Sequence, residues 1–443
     1  MNFITDRQTL EDLKITGKFR PGSIFSLFNR VRTAGGEKLL EAMFGSPLLD
    51  AGEINKRAGI FRFFQQKAVK FPFDPAAVED MHNYLEGASG GGFANFRKLV
   101  LEWVIKDGQY AALQQGIQNT IAVLIVCRDL YRQFGQYSDN PYLEEIMVVL
   151  KIVGDRRLGW LASPGDERAD GRLPFLRLVR YDHLLRRVLR KELGMLLSVL
   201  YSLDVSIAVG QVAAERHFSY AVALPKERNR IRAEGLTHPS LENAVGNTVS
   251  FSGEKNLVFL TGANMAGKST LMKSFGIAMY LAHMGFPVAA EMMEFSVKDG
   301  IYSSINVPDN LALGYSHFYS EVLRVKKVAE EVSKAKDLIV IFDELFKGTN
   351  VKDAYDATLA VTEAFSTYRA CFFIISTHII EVGEALRQRC DNIRFRYLAT
   401  MMEGTTPRYT YRLEEGITAD RQGMIIIENE GILEMLLTED EIK

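Results

Sequence analysis

Residues Leu257 to Thr270 read Leu-Val-Phe-Leu-Thr-Gly-Ala-Asn-Met-Ala-Gly-Lys-Ser-Thr, an apolar run leading into a G-x-x-x-x-G-K-S loop. In such a loop Gly262 and Gly267 let consecutive backbone N–H groups converge on one point, and a following helix adds its positive end. The chemistry suited to that cradle is the binding of nucleotide phosphates. Lys268 is expected to reach the β- and γ-phosphates and the Ser269 hydroxyl to ligate Mg²⁺. The nucleotide-binding stretch is thus Gly262, Ala263, Asn264, Met265, Ala266, Gly267, Lys268, Ser269 and Thr270. About 75 residues beyond the loop, Leu338-Ile-Val-Ile-Phe ends in Asp343-Glu344. Side chains alternate along a strand, so two adjacent carboxylates at its end take different roles. Asp343 is expected to hold Mg²⁺, mainly through water, in the Walker B manner. Glu344 is expected to polarise the water that attacks the γ-phosphate.

Two further residues draw meaning from these neighbours. Ile374-Ile-Ser-Thr-His378 ends another apolar run in an imidazole able to sense a γ-phosphate or the attacking water, although a strand-end histidine is more often structural. Ser316, in Gly314-Tyr-Ser-His-Phe318, precedes a pattern of Val322, Val325, Val328 and Val332. It is therefore near a helix N-terminus, a second anion site or simply an N-cap.

The elements that must position these groups fall in the second half of the chain. Leu257–Leu260, Leu338–Phe342 and Cys371–Ser376 are apolar strands alternating with helices, each ending in polar residues, which is the pattern of an α/β domain with ligands at strand ends. The first half carries helical periodicity instead, as in Glu37–Phe44 and Glu53–Phe64, with breaks at Ser46-Pro47 and over Gly87–Gly92. Asp155–Pro174 is rich in Gly and Pro and reads as a loop or hinge. Asp182–His217 has one apolar stripe and, if mostly unbroken, spans roughly 50 Å at 1.5 Å per residue. The expected division is a helical domain over 1–225 and an α/β domain over 226–443, with the change between Ala221 and Leu236.

At 443 residues and 47% hydrophobic content the chain supports more than one core. Its longest unbroken apolar run, Ile121–Cys127, is far short of the ~18 residues of a membrane span. No export signal is visible at the N-terminus, and Cys127, Cys371 and Cys390 show neither disulfide nor zinc spacing. The expectation is a cytoplasmic protein without membrane partners. With 53 basic against 55 acidic residues, global charge makes no case for nucleic acid. Locally, Arg156–Lys191 holds ten Lys or Arg against four Asp or Glu, which suits phosphate contact or a solvated helix face.

Taken together these motifs resemble the MutS family of DNA mismatch repair ATPases. The resemblance rests on His238-Pro239, the loop with its Asn264-Met265 pair, Gly314-Tyr-Ser316-His-Phe318, Asp343-Glu-Leu-Phe-Lys-Gly-Thr-Asn350, Ser376-Thr-His378 and Tyr409-x-Tyr-x-Leu413-x-x-Gly416. Upstream it rests on Ser26-Leu-Phe-Asn29, Gly36-Glu-Lys-Leu-Leu40, Pro47-Leu-Leu-Asp50 and Ile54-Asn-Lys-Arg57.

The resemblance implies an ABC-type α/β P-loop ATPase domain preceded by a mostly α-helical core and lever domain, with at most a reduced clamp within 87–175. It also implies a chain without the family's mismatch-reading and connector domains. ATP and Mg²⁺ are the implied cofactors. The implied assembly is a homodimer closed around two nucleotides, with Ser316 acting in trans and His378 as the switch histidine. The function expected is ATP hydrolysis coupled to helical arms that hold DNA, branched or otherwise non-standard, in mismatch repair or recombination with partner proteins. The alternative is an ATP-driven remodelling or accessory protein without its own DNA affinity, and the basic stretch separates the two.

Overall fold

The computed structural model describes residues 2–17, 22–87, 108–135, 140–162, 173–263, 265–305, 317–403, 406–418, 431–432 and 435. They form two compact units. One comprises Met1–Leu27, Phe44–Ala58 and Glu215–Lys443, and the other Phe28–Met43 and Gly59–Ala214. The sequence suggested a single cut near 225. Instead, two N-terminal segments join the C-terminal half, because Ile4, Asp12, Phe44 and Asn55 all bond or pack there.

The chain opens with α1 (Arg7–Asp12), α2 (Ile24–Phe28), α3 (Ala34–Gly45) and α4 (Ala51–Lys67). The second unit continues with α5 (Pro75–Glu86), α6 (Gly108–Phe134), α7 (Leu143–Val153), a 3₁₀ segment Arg156–Ala162, α8 (Phe175–His183) and α9 (Arg190–Glu215). Local sequence explains the boundaries: Pro75 opens α5 and the Asp74 side chain accepts from Ala76 N at 3.1 Å. Val78, Met81 and Leu85 of α5, Ile117, Ile121 and Leu124 of α6, and Leu193, Leu196, Leu200 and Leu203 of α9 recur at helical spacing and share one core.

The apolar-striped stretch Asp182–His217 is interrupted. Between α8 and α9, Leu184–Val188 form a π turn in which Leu189 N donates to Leu184 O at 2.9 Å. Within this turn, Arg186 Nε donates to Tyr84 O at 2.9 Å and the guanidinium lies 4.7 Å from the Tyr84 ring centre. Arg177, Arg180, Arg187, Arg190 and Lys191 stay exposed along the same stretch.

Helix α9 is, among the described helices, the one long and apolar enough to cross a membrane, a feature that a search for unbroken apolar runs overlooks. Its apolar window is 67% buried within the protein. It also contains Asp204, which accepts from Thr33 N at 2.8 Å, Thr33 Oγ1 at 2.7 Å and Arg32 N at 3.0 Å, at the start of α3. Burial raises the Asp204 pKa against the pull of those donors.

In the first unit the strands are β1 (Ser219–Tyr220), β2 (Val222–Leu224), β3 (Arg230–Leu236), β4 (Asn247–Ser252), β5 (Leu257–Thr261), β6 (Pro287–Val288), β7 (Met292–Ser296), β8 (Gly300–Ser304), β9 (Leu338–Phe342), β10 (Phe372–Ser376), β11 (Ile393–Glu403) and β12 (Thr406–Glu415). The main sheet runs β12-β11-β5-β10-β9-β8, parallel except for β12. Every residue of β5, β9 and β10 is buried, which is why these strands read as continuous apolar runs. A second sheet runs β2-β7-β3-β4, and β1 pairs with β6. Helices α10 (Lys268–His283), α11 (His317–Ser333), α12 (Val351–Ser366) and α13 (Ile380–Arg389) connect the strands.

One buried cation in this unit gives a pH prediction. Lys298 Nζ donates to Asn229 Oδ1 and Ala370 O, both at 2.7 Å, and lies 3.7 Å from the Phe372 ring centre. Burial pushes its pKa down to about 8, with Asp337, Cys371 and Asp299 opposing the drop and Lys226 adding to it. The folded state therefore disfavours the charged amine. The cost is present in full below about pH 8 and is relieved as pH rises towards the unfolded value of 10.5. Denaturant midpoints of the wild type and Lys298→Met, compared across this range, are expected to move in the wild type's favour as pH rises; a pH-independent gap contradicts this.

Candidate nucleotide-phosphate site

Three neighbouring strands deliver the site at their carboxyl ends. Ser376 of β10 pairs with Leu260 of β5, and Ile375 pairs with Phe342 of β9. This register brings the residues after β5 and β9 to the same edge as the end of β10, where ligands bind in open α/β sheets.

The loop after β5 has the backbone that its glycines permit. Gly262 lies at φ 141 and Gly267 at φ 100, a region costly for side chains with a Cβ. Met265 also takes a positive φ of 73 and is 77% exposed. Asn264 lies outside the described residues. Gly267 caps α10, whose first turn holds no acidic residue and has no side-chain cap, leaving its N–H groups open to an anion. Lys268 is buried, and its Nζ donates to Gly262 O at 2.8 Å and Ala263 O at 3.3 Å. Burial lowers its pKa, opposed by the charges of Glu344 and Asp343. A phosphate at the loop would give that ammonium the counter-charge the loop carbonyls lack.

Asp343 stands beside this loop. Its carboxylate accepts from both Ser269 Oγ and Ser376 Oγ, while its N–H donates to Ser304 O at 3.0 Å. A hydroxyl and a carboxylate so close together suit one divalent cation. Among the described residues no group of three or more His, Cys, Asp or Glu is arranged for a metal. A cation at Ser269 and Asp343 would therefore complete its shell with nucleotide oxygens and water, as Mg²⁺ does. Next to it, Glu344 N donates to Ser376 O at 3.1 Å and to Ser376 Oγ at 3.2 Å, which fixes Glu344 at φ 54. A non-glycine residue held in that region is strained, and such strain clusters at functional sites.

The structure thus brings together Lys268, Ser269, Asp343 and Glu344. His378 follows two residues after Ser376 but its side chain is exposed and has no hydrogen-bond partner among the described residues. Ser316 lies outside the described residues.

Sequence reasoning missed two features. Ser376, read as a strand end and beside His378 but given no role of its own, ties Asp343 to Glu344. The second is a cleft of about 450 Å³ against the loop, lined by His238, Leu241, Asn243, Met265, Thr270 and Tyr411 among others. His238 Nδ1 accepts from Ser240 N at 3.2 Å, and burial, helped by Lys273 and Lys14, lowers its pKa and keeps the ring neutral. Tyr411 is held at φ 56 by Asn247, which donates to Tyr411 O at 2.9 Å and accepts from Leu413 N at 2.8 Å. An apolar slot with a few amide and hydroxyl groups beside a phosphate loop suits a planar base and its sugar.

Comparison with known proteins gives two family matches. MutS domain III matches residues 8–140 and MutS domain V residues 258–441. The DNA mismatch repair protein MutS of Thermus thermophilus is 32% identical over 275 residues, 59% of this chain and 33% of that protein. The protein of the same name from Streptococcus sanguinis is 26% identical over 253 residues, 56% of this chain and 29% of its own length. DNA mismatch repair protein spellchecker 1 of Drosophila melanogaster is 27% identical over 233 residues, 51% and 25% of the two chains. The chain spans a third or less of the length of each of these relatives.

Proposed function

Given that this chain belongs to the MutS family, we propose that it binds and hydrolyses ATP and uses the cycle to hold and release DNA. The observation that carries the reading is the Asp343 carboxylate joined to both Ser269 and Ser376 beside the buried Lys268. Lys268 exchanges its two loop carbonyls for the β- and γ-phosphates, and Gly262 to Thr270 wrap them with backbone N–H groups. Adenosine occupies the cleft at His238, Asn243 and Tyr411. Mg²⁺, held by Ser269 and Asp343, neutralises phosphate charge when bound. Glu344, its backbone pinned by Ser376, orients and deprotonates the attacking water. His378 reports on the γ-phosphate from the end of β10. Two chains close around two nucleotides, Ser316 of each meeting the nucleotide of the other.

DNA is the proposed cargo, branched or otherwise non-standard duplex in a repair or recombination setting. Exposed Arg177, Arg180, Arg187, Arg190 and Lys191 along Phe175–Glu215 support this choice over a remodelling protein without DNA affinity. Charge reversal by Arg177→Glu with Arg180→Glu is expected to weaken binding to every duplex tested and to reduce the log–log salt slope by roughly one per lost phosphate contact. Titrations of duplex, mismatched and four-way-junction DNA at several salt concentrations check it. Wild-type protein that shows no salt-dependent binding, with or without ATP, overturns the DNA reading in favour of the remodelling one.

A further inference from the structure

Asp343 offers its two carboxylate oxygens to two serines of unlike exposure. Oδ2 accepts from Ser269 Oγ, and Oδ1 accepts from Ser376 Oγ. Ser269 is exposed in the first turn of α10, within reach of solvent, whereas Ser376 is fully buried at the end of β10. The sheet fixes this arrangement. Ile375 pairs with Phe342, so the residues that follow them, Ser376 and Asp343, leave the same face of the sheet. Asp343 N, donating to Ser304 O at 3.0 Å, extends that order past the end of β9.

The two hydrogen bonds are not equivalent. An exposed hydroxyl releases a carboxylate easily, because water or a cation takes its place. A buried hydroxyl has no such substitute: among the described residues Ser376 Oγ donates to Asp343, and it already accepts from Glu344 N at 3.2 Å. Breaking its bond to Asp343 would leave a buried donor unpaired. Oδ1 is therefore held on the inner side, while Oδ2 is left towards Ser269 and the phosphate loop. That division bears on the kind of cation the carboxylate can serve. Ca²⁺ gathers roughly six to eight oxygens in a flexible shell and readily takes both oxygens of one carboxylate. Mg²⁺ demands a near-ideal octahedron, which the narrow bite of a chelating carboxylate distorts, and it keeps several waters. A carboxylate that offers one oxygen, directly or through water, suits Mg²⁺.

We propose that Ser376 is a positioning residue that withholds Oδ1 of Asp343 from the cation and so sets the site's preference for Mg²⁺ over Ca²⁺. This role rests on the reading of Ser269 and Asp343 as the groups that hold the cation of a bound nucleotide. Ser376 acts through Asp343 and needs no contact of its own with cation or nucleotide. Hydrogen-bond partners that orient a metal-binding side chain matter roughly 10- to 100-fold in metal affinity.

Binding of a fluorescent, non-hydrolysable ATP analogue, titrated separately with Mg²⁺ and with Ca²⁺, tests this without relying on turnover. Ser376→Ala frees Oδ1. It is expected to raise the Mg²⁺ concentration for half-maximal binding roughly 10-fold, while the Ca²⁺ concentration falls or changes by less than about threefold. Ser376→Thr, which retains the hydroxyl, is expected to keep the wild-type ratio of the two cations. Ser376→Cys, a side chain of similar size with only a weak donor, follows Ser376→Ala and guards against a folding defect of that variant. Equal loss for both cations, loss for neither, or a Ser376→Thr protein that shifts the ratio as Ser376→Ala does overturns the role of Ser376 and leaves the nucleotide site standing. Wild-type protein that binds no analogue, or binds it equally with and without Mg²⁺, overturns the reading of Ser269 and Asp343, and the role of Ser376 with it.

Discussion

Lys268→Ala is expected to weaken ATP binding roughly 100-fold or more and to remove measurable turnover, the size of effect seen when one partner of a buried charge pair is deleted. Lys268 is 5% exposed, and among the described residues its ammonium donates to the carbonyl oxygens of Gly262 and Ala263, with Glu344 and Asp343 acting on it through charge. A γ-phosphate fills the place where a counter-charge is missing, so the amine contributes more to the bound state than to the free one. The fold should survive, because Lys268 opens α10 and its ammonium donates to carbonyls of the loop before that helix. Equilibrium titration with a fluorescent ATP analogue, alongside a thermal melt, checks both parts. Retained affinity in a folded Lys268→Ala protein removes the loop from the account.

Glu344→Gln separates binding from chemistry. Gln keeps the volume and can still hold a water, but it cannot take the water's proton, a contribution of roughly 10² to 10⁴ in rate. Turnover should fall by about that factor while ATP affinity changes little, since Lys268, Ser269 and Asp343 are untouched. The ATP-bound, closed dimer should then accumulate. Single-turnover phosphate release and mass measurement in the presence of ATP read the two consequences. Turnover close to wild type would reassign Glu344 to a structural role in the turn that follows β9, where Glu344 N bonds Ser376.

What the sequence could reveal follows from how local each feature is. The strands β5, β9 and β10 were readable because burial on both faces makes every residue before Thr261 and Ser376 at their ends apolar, and the loop at Gly262–Ser269 because its chemistry lies within one short run. The roles of Asp343 and Ser269 could be expected from type and spacing. Ser376 could not, since its meaning comes from a register that aligns it with the ends of two other strands. The contacts of the N-terminal segment with β8 and α11 were hidden for the same reason: Thr9 meets Ser303 at a separation of 294 residues, and Asp6 meets Arg324 at 318. Helical periodicity gives Asp182–His217 one apolar stripe, whereas Leu203–Gly210 are buried at every consecutive position. It does not register the π turn at Leu184–Val188, within which Arg186 bonds Tyr84 at a separation of 102 residues. The division of the chain was misjudged because composition changes near Pro225, whereas Met1–Leu27 and Phe44–Ala58 join the C-terminal unit through specific contacts that composition does not record.

The central claim is that ATP hydrolysis at Lys268, Ser269, Asp343 and Glu344 is coupled to DNA. Phosphate release by the purified chain, measured with and without Mg²⁺ and with duplex, mismatched or junction DNA added, tests it most directly. The account predicts hydrolysis that requires Mg²⁺, disappears in Lys268→Ala and changes severalfold when a preferred DNA structure is added. Mg²⁺-dependent hydrolysis that no DNA alters, or no hydrolysis by a folded wild-type protein under any of these conditions, contradicts it.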